Sequence, residues 1–93
     1  MINVKRLVLD VLKPHHPNAL EFAHAVAATS PDCRVQVTVL EVDEKTETLK
    51  VEVTGSALDF ERVHEAIGQC GGSLHSIDEV EVCSGGSGGS GGA

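Results

Sequence analysis

Histidines and carboxylates are the residues of this chain best suited to chemistry, and they gather in two segments. His15 and His16 close Leu7-Val-Leu-Asp-Val-Leu-Lys-Pro-His-His-Pro17, and His75 stands within Gly71-Gly-Ser-Leu-His-Ser-Ile-Asp-Glu-Val80. Neutral imidazole with carboxylate is a competent ligand set for zinc, copper or nickel. Asp10, His15 and His75 would supply it, although their spacing matches no zinc pattern. Calcium instead needs about six to eight oxygens. No EF-hand spacing occurs, so a calcium site would be shared between subunits, with Asp78 or Glu79 beside a neighbour's edge strand. The candidate metal ligands are therefore Asp10, His15, His75, Asp78 and Glu79, for calcium or another divalent cation. A plainer assignment stands beside this one: Asp10 and His75 form a cross-strand polar pair or cap a loop, and the remaining carboxylates serve caps, turns and surface.

Other chemistries fail on spacing. His64 and Cys70 are six residues apart on one helix and fall on different faces, so they make no nucleophile and base pair. Gly71-Gly72 comes at a helix end, and no GxxxxGK[ST] is present to cradle phosphate. Cys33, Cys70 and Cys83 are an odd count without a CxxC pair, which points to free thiols, with Cys70 packed in the core. No catalytic residue or organic cofactor is implied, and the expectation is a protein without enzymatic activity.

Positioning these groups falls to six elements. Residues 5–12 are rich in Leu and Val and read as a strand; Pro14 and Pro17 then stop regular structure. Asn18 with Glu21 gives a helix start, and the helix runs to residue 28 with Leu20, Ala23, Val26 and Ala27 inward. Val35, Val37 and Val39 alternate with polar neighbours, as do Leu49, Val51 and Val53, across the polar turn 43–46. They read as a hairpin. Ser56 and Asp59 suggest a capping box for a second helix, along which Phe60, Val63, Ile67 and Cys70 recur at helical spacing. Residues 74–82 read as a last strand with a bulge or bend near Ser76.

The order β-α-β-β-α-β with right-handed crossovers implies an α+β, ferredoxin-like sandwich: a four-stranded antiparallel sheet in order 4-1-3-2 with two helices on one face. Val8, Asp10 and Leu12 would lie on the uncovered face with Lys50, Glu52 and Thr54. The apolar members would meet water in a monomer, and strands two and four would be unpaired edges, so self-association is expected. Cys33 and Cys83 would lie on opposite edges, roughly 14 Å apart, too far for an intrachain disulfide but able to meet between subunits.

Composition sets the remaining limits. The domain is expected over 1–83, and 84–93, Ser-Gly-Gly-Ser-Gly-Gly-Ser-Gly-Gly-Ala, reads as a flexible linker. With no Trp or Tyr and two Phe, the core must be built from branched aliphatics and alanine. Seven Lys and Arg against 14 Asp and Glu give a formal charge of −7, which argues against nucleic acid as partner. No apolar run approaches the roughly 20 residues of a membrane span and no leader is evident, so a cytoplasmic protein is expected.

Over residues 4–82 the chain resembles the archaeal DUF211 family of small uncharacterised proteins. The segments that carry the resemblance are VLDVLKPH, LDFERV and GGSLHSIDEV, in that order. The resemblance implies a ferredoxin-like fold assembled into a ring-shaped homo-oligomer, with divalent cations, calcium especially, associated with it. His16 departs from the family pattern, in which a carboxylate is expected after the first histidine. The function expected is thus a non-catalytic ring. An alternative is a small-ligand or metal-sensing regulatory domain of the ACT-like or copper-tolerance-like kind, with sites at subunit interfaces. An acylphosphatase-like enzyme ranks last, because Lys13-Pro-His-His-Pro17 supplies neither the arginine nor the loop it needs.

Overall fold

The computed structural model describes residues 1–85. The elements follow the expected order: β1 (Ile2–Pro14), α1 (Ala19–Ala27), β2 (Arg34–Val42), β3 (Thr46–Leu58), α2 (Phe60–Gln69) and β4 (Ser73–Ser84). All pairings are antiparallel, and the sheet order β2-β3-β1-β4 is the ferredoxin-like arrangement. Of the Gly/Ser segment 84–93, Ser84 closes β4 opposite Ile2, and 86–93 lie outside the described residues. No helix among the described residues is long and apolar enough to cross a membrane.

The core fills the space between the sheet and the helices. Leu7, Leu9 and Val11 of β1, Leu49, Val51 and Val53 of β3, Phe22 and Val26 of α1, and Val63 and Ile67 of α2 are all buried there. Val35 and Val37 of β2 and Cys70 pack against its margin. The period-two alternation along both central strands is what delivers these side chains to one face.

Helix ends are closed as local chemistry requires. Asn18 and Glu21 form the full capping box of α1, each side chain bonding the other's backbone N–H at 2.9 and 3.1 Å. At the end of α2, Gly71 takes a positive φ of 79°, and the Gly72 and Gly71 N–H groups reach back to the Ile67 and Gly68 carbonyls, a Schellman closure. A side chain on Gly72 would meet the Ile67 side chain and carbonyl at 3.1 Å.

Several expectations need correction. Leu20 does not face inward: it is 65% exposed, and Phe22 and Val26 make the buried stripe of α1. Two residues of helix rotate by about 200°, so Leu20 and Phe22 cannot both face the sheet, and the aromatic ring buries more apolar area. The capping box at Ser56 is absent, because β3 continues to Leu58; Asp59 is the N-cap, accepting from the Arg62 N–H, and Ser56 Oγ instead donates to Asp32 at 2.7 Å. Val8 sits on the open face as expected, yet only 6% of it meets water. Its register partners are Glu52 on β3 and Glu79 on β4, positions from which long side chains can shield an apolar neighbour from water.

Candidate functional site

At the C-terminal end of β1, the apolar row Leu7, Leu9, Val11 is followed by Lys13, a lysine with no exposure to water. Its ammonium has three N–H donors and three acceptors: the carbonyls of Pro14 (2.9 Å) and Pro17 (2.6 Å) and the Glu47 carboxylate (3.0 Å). A charge at this depth is tolerable only because every donor is used. Glu47 lies opposite Lys13 on β3, so register alone places the pair.

His15 completes this cluster. Its Nε2 lies 3.0 and 3.2 Å from the carbonyls of Asp43 and Glu44 in the β2–β3 turn, and its Nδ1 lies 3.3 Å from Glu47. Carbonyls only accept, so Nε2 must carry a proton; facing a carboxylate, Nδ1 gains from carrying one too. The Glu47 carboxylate and then the Glu44 carbonyl accordingly raise the His15 pKa above its ordinary value. Lys13 and then His15 lower that of Glu47. Asp43 is lowered by the N–H groups of Thr46 and Lys45, which its carboxylate accepts in closing the turn. The assembly ties the Pro14–Pro17 loop to the hairpin.

On the open face, Arg6 Nε donates to Glu79 at 2.7 Å, and Glu52 lies 3.6 Å from Arg6 Nη2 and 3.3 Å from Lys50 Nζ. Hydrogen bonding to Glu79 raises the Arg6 pKa further. Two hollows flank this lattice. One, about 380 Å³, is lined largely by apolar groups of Val8, Leu40 and Leu49 and by Asp10, Lys50 and Asp78. The other, about 370 Å³, lies toward the β2 edge between Arg6 and Arg34.

The five candidate metal ligands are thereby divided. His15 is engaged with Glu47 and the turn carbonyls, and Glu79 with Arg6. Asp10 and Asp78 share one hollow, where Asp78 also accepts from Ser76 Oγ at 2.7 Å. His75 is exposed. Among the described residues no group of three or more His, Cys, Asp or Glu side chains could hold a metal ion. The reason lies in β4. Pairing passes from Val8–Glu79 to Leu9–Ile77 and from Asp10–Ser76 to Val11–Leu74, so Asp78 and His75 are the extra residues of two bulges on either side of Ser76. The bulge expected near Ser76 is therefore double. Asp10 faces Ser76 and Lys50, and the cross-strand pair with His75 does not form.

Lys13 and Glu47 were absent from the sequence expectations. The available signal was a lysine in the inward phase of a strand whose other inward residues are all apolar. His64 stacks on the Phe60 ring, one turn away, with centroids 5.8 Å apart. Cys33 Sγ lies 3.4 Å from the Ala27 carbonyl, and Cys83 is exposed on the opposite edge, opposite Asn3.

The model of DUF211, described as an uncharacterised ArCR family, matches residues 5–86. An uncharacterised protein of Methanocaldococcus jannaschii is 44% identical over 80 residues, covering 86% of this chain and 82% of its own length.

Proposed function

The chain belongs to the DUF211 family, and from that premise we propose that it acts as a non-catalytic, ring-forming homo-oligomer. The observation that carries this reading is the pair of unpaired sheet edges. β4 presents Ile77, Val80 and Val82, each 48–56% exposed, and β2 presents Val39, Leu40 and Val42, each 42–60% exposed. Such edges invite pairing with another chain, and each subunit has one of each kind. A β2 edge joined to the β4 edge of the next subunit is a head-to-tail contact, which closes into a ring when the rotation between subunits allows.

Among the described residues a divalent cation has no complete site in one protomer, since Asp10 and Asp78 together offer at most four carboxylate oxygens where calcium takes about six to eight. In this reading a calcium ion is held only where a second subunit adds ligands. Native mass spectrometry, first with calcium and then with chelator, tests both points. One ring mass in both conditions supports a constitutive scaffold, and a ring that dissociates on chelation makes the ion an interface ligand. A monomer throughout removes the ring.

A further inference from the structure

The hollow of about 370 Å³ at the β2 side of the open face is a gathering of hydrogen-bond donors. Arg34, Thr54 and Arg6 share one row across β2, β3 and β1, and Gln36 and Glu52 share the next. Strand spacing sets the two arginine backbones roughly 10 Å apart with the Thr54 hydroxyl between them. In a chain whose acids outnumber its bases 14 to 7, Arg34 enters none of the ion pairs among the described residues. Arg6 is held by Glu79 through Nε and by Glu52 through Nη2, which restrains its guanidinium and leaves Nη1 without an ion-pair partner among the described residues. The hollow's one carboxylate, Glu52, already faces both Arg6 and Lys50. Neither Gln36 nor Thr54 has a side-chain hydrogen bond among the described residues.

We propose that this hollow is a binding site for a small oxyanion bearing carboxylate or phosphate oxygens, with Arg34 as the bidentate clamp, Arg6 as a pre-oriented second cation, and Thr54 and Gln36 as neutral donors. A planar guanidinium matches the two oxygens of a carboxylate or phosphate. One already held in place by other contacts loses less freedom on binding. The hollow leaves room beside a bare phosphate for further atoms of a ligand. This site does not rest on the ring reading: it is complete in one protomer, and failure of one leaves the other standing.

Inorganic phosphate and succinate are the two probes, titrated into the full chain by isothermal calorimetry at an ionic strength fixed with sodium chloride, with the arginine Nε–Hε resonances followed by NMR. Saturable binding of at least one probe that shifts the Arg34 resonance is expected. Arg34→Gln, a change on an exposed edge strand, should weaken it about tenfold or more, as loss of a charge-assisted contact implies. Arg34→Lys, which keeps the charge and removes the fork, should weaken it less and serves if the glutamine variant fails to fold. Binding of phosphate alone would identify a phosphoryl ligand, and binding of both would identify oxyanion recognition in general. Absence of saturable binding, or equal binding by wild type and both variants, would overturn the proposal.

Discussion

Successive residues of β1 hold the two sides of the sheet by different physics. Leu7, Leu9 and Val11 lie under the helices in a dry core, whereas Arg6, Val8 and Asp10 lie on the open side among Glu52, Lys50 and Glu79. Val8 is nearly as buried as the helix-side row, but the causes differ. On the helix side apolar surface is covered by apolar surface, which is stabilising in proportion to area. On the open side a single valine is flanked in register by Glu52 and Glu79, whose ion pairs with Arg6 water and salt can loosen. The difference teaches that a nearly dry residue is not always a core residue. It also locates the exceptional group, Lys13, which occupies the helix-side row but is held by polar contacts.

Substitutions in the two rows should therefore separate by size. Leu9→Ala should cost most, about 3–4 kcal/mol in urea unfolding, through lost burial and the cavity left behind. A loss below 1 kcal/mol would mean that the helix-side row is not the rigid core. Lys13→Met should follow at about 2–4 kcal/mol, because Glu47 and the Pro17 carbonyl lose their donor. Pairing it with Glu47→Gln should recover part of that loss, and strict additivity of the two changes would deny the ion pair.

Val8→Ala is expected to cost about 1–2 kcal/mol, less than Leu9→Ala, since neighbouring charged stems can close over the gap. Equal losses at Val8 and Leu9 would erase the distinction between the faces. Arg6→Gln should lower the melting temperature only slightly, and more at low salt than at high salt, as for exposed pairs. A salt-independent loss would show the lattice to be packing rather than charge.

The smallest effect should come from His15 and depends on pH. Its folded pKa is raised above the ordinary value of 6.5, so its contribution is complete below that value and is lost as pH rises through the higher folded value. Glu47 behaves oppositely: lowered from 4.5, it stabilises above that pH and loses its contribution as pH falls through the folded value. His15→Gln should flatten the alkaline side of the melting-temperature profile and change the acid side less, since Lys13 remains to lower the Glu47 pKa. An unchanged alkaline slope, or an imidazole that titrates by NMR below 6.5, would separate His15 from the clamp.

Much of this could be read from the chain. Val51 and Val53 announce their strand by alternation and residues 5–12 theirs by a run of Leu and Val, Asn18 and Glu21 announce the first helix, and Gly71-Gly72 ends the second. The Leu74, Ile77, Val80 spacing pointed to irregularity in β4. Leu20 misled because the helical periodicity of α1 admits two apolar stripes and only packing chooses between them. The Asp10–His75 association misled because it counts residues along β4 without the two bulges. Lys13 escaped notice because a lone lysine in a strand ordinarily lies in solvent, and what draws this one inside is a carboxylate 34 positions away and two carbonyls of a loop that folds back.

The sequence by itself determined the element order, the apolar rows, the family and hence the fold, since these depend on local periodicity and on short-range capping and turn chemistry. The tertiary structure alone decided which polar groups meet. Register brings Lys13 to Glu47, Arg34 and Arg6 to either side of Thr54, and Arg6 within reach of Glu79, while bulges part His75 from Asp10. A one-residue slip of a strand moves every side chain to the opposite face. Contacts between distant residues are therefore fixed by the sum of all pairings in the sheet, which no local stretch of sequence contains.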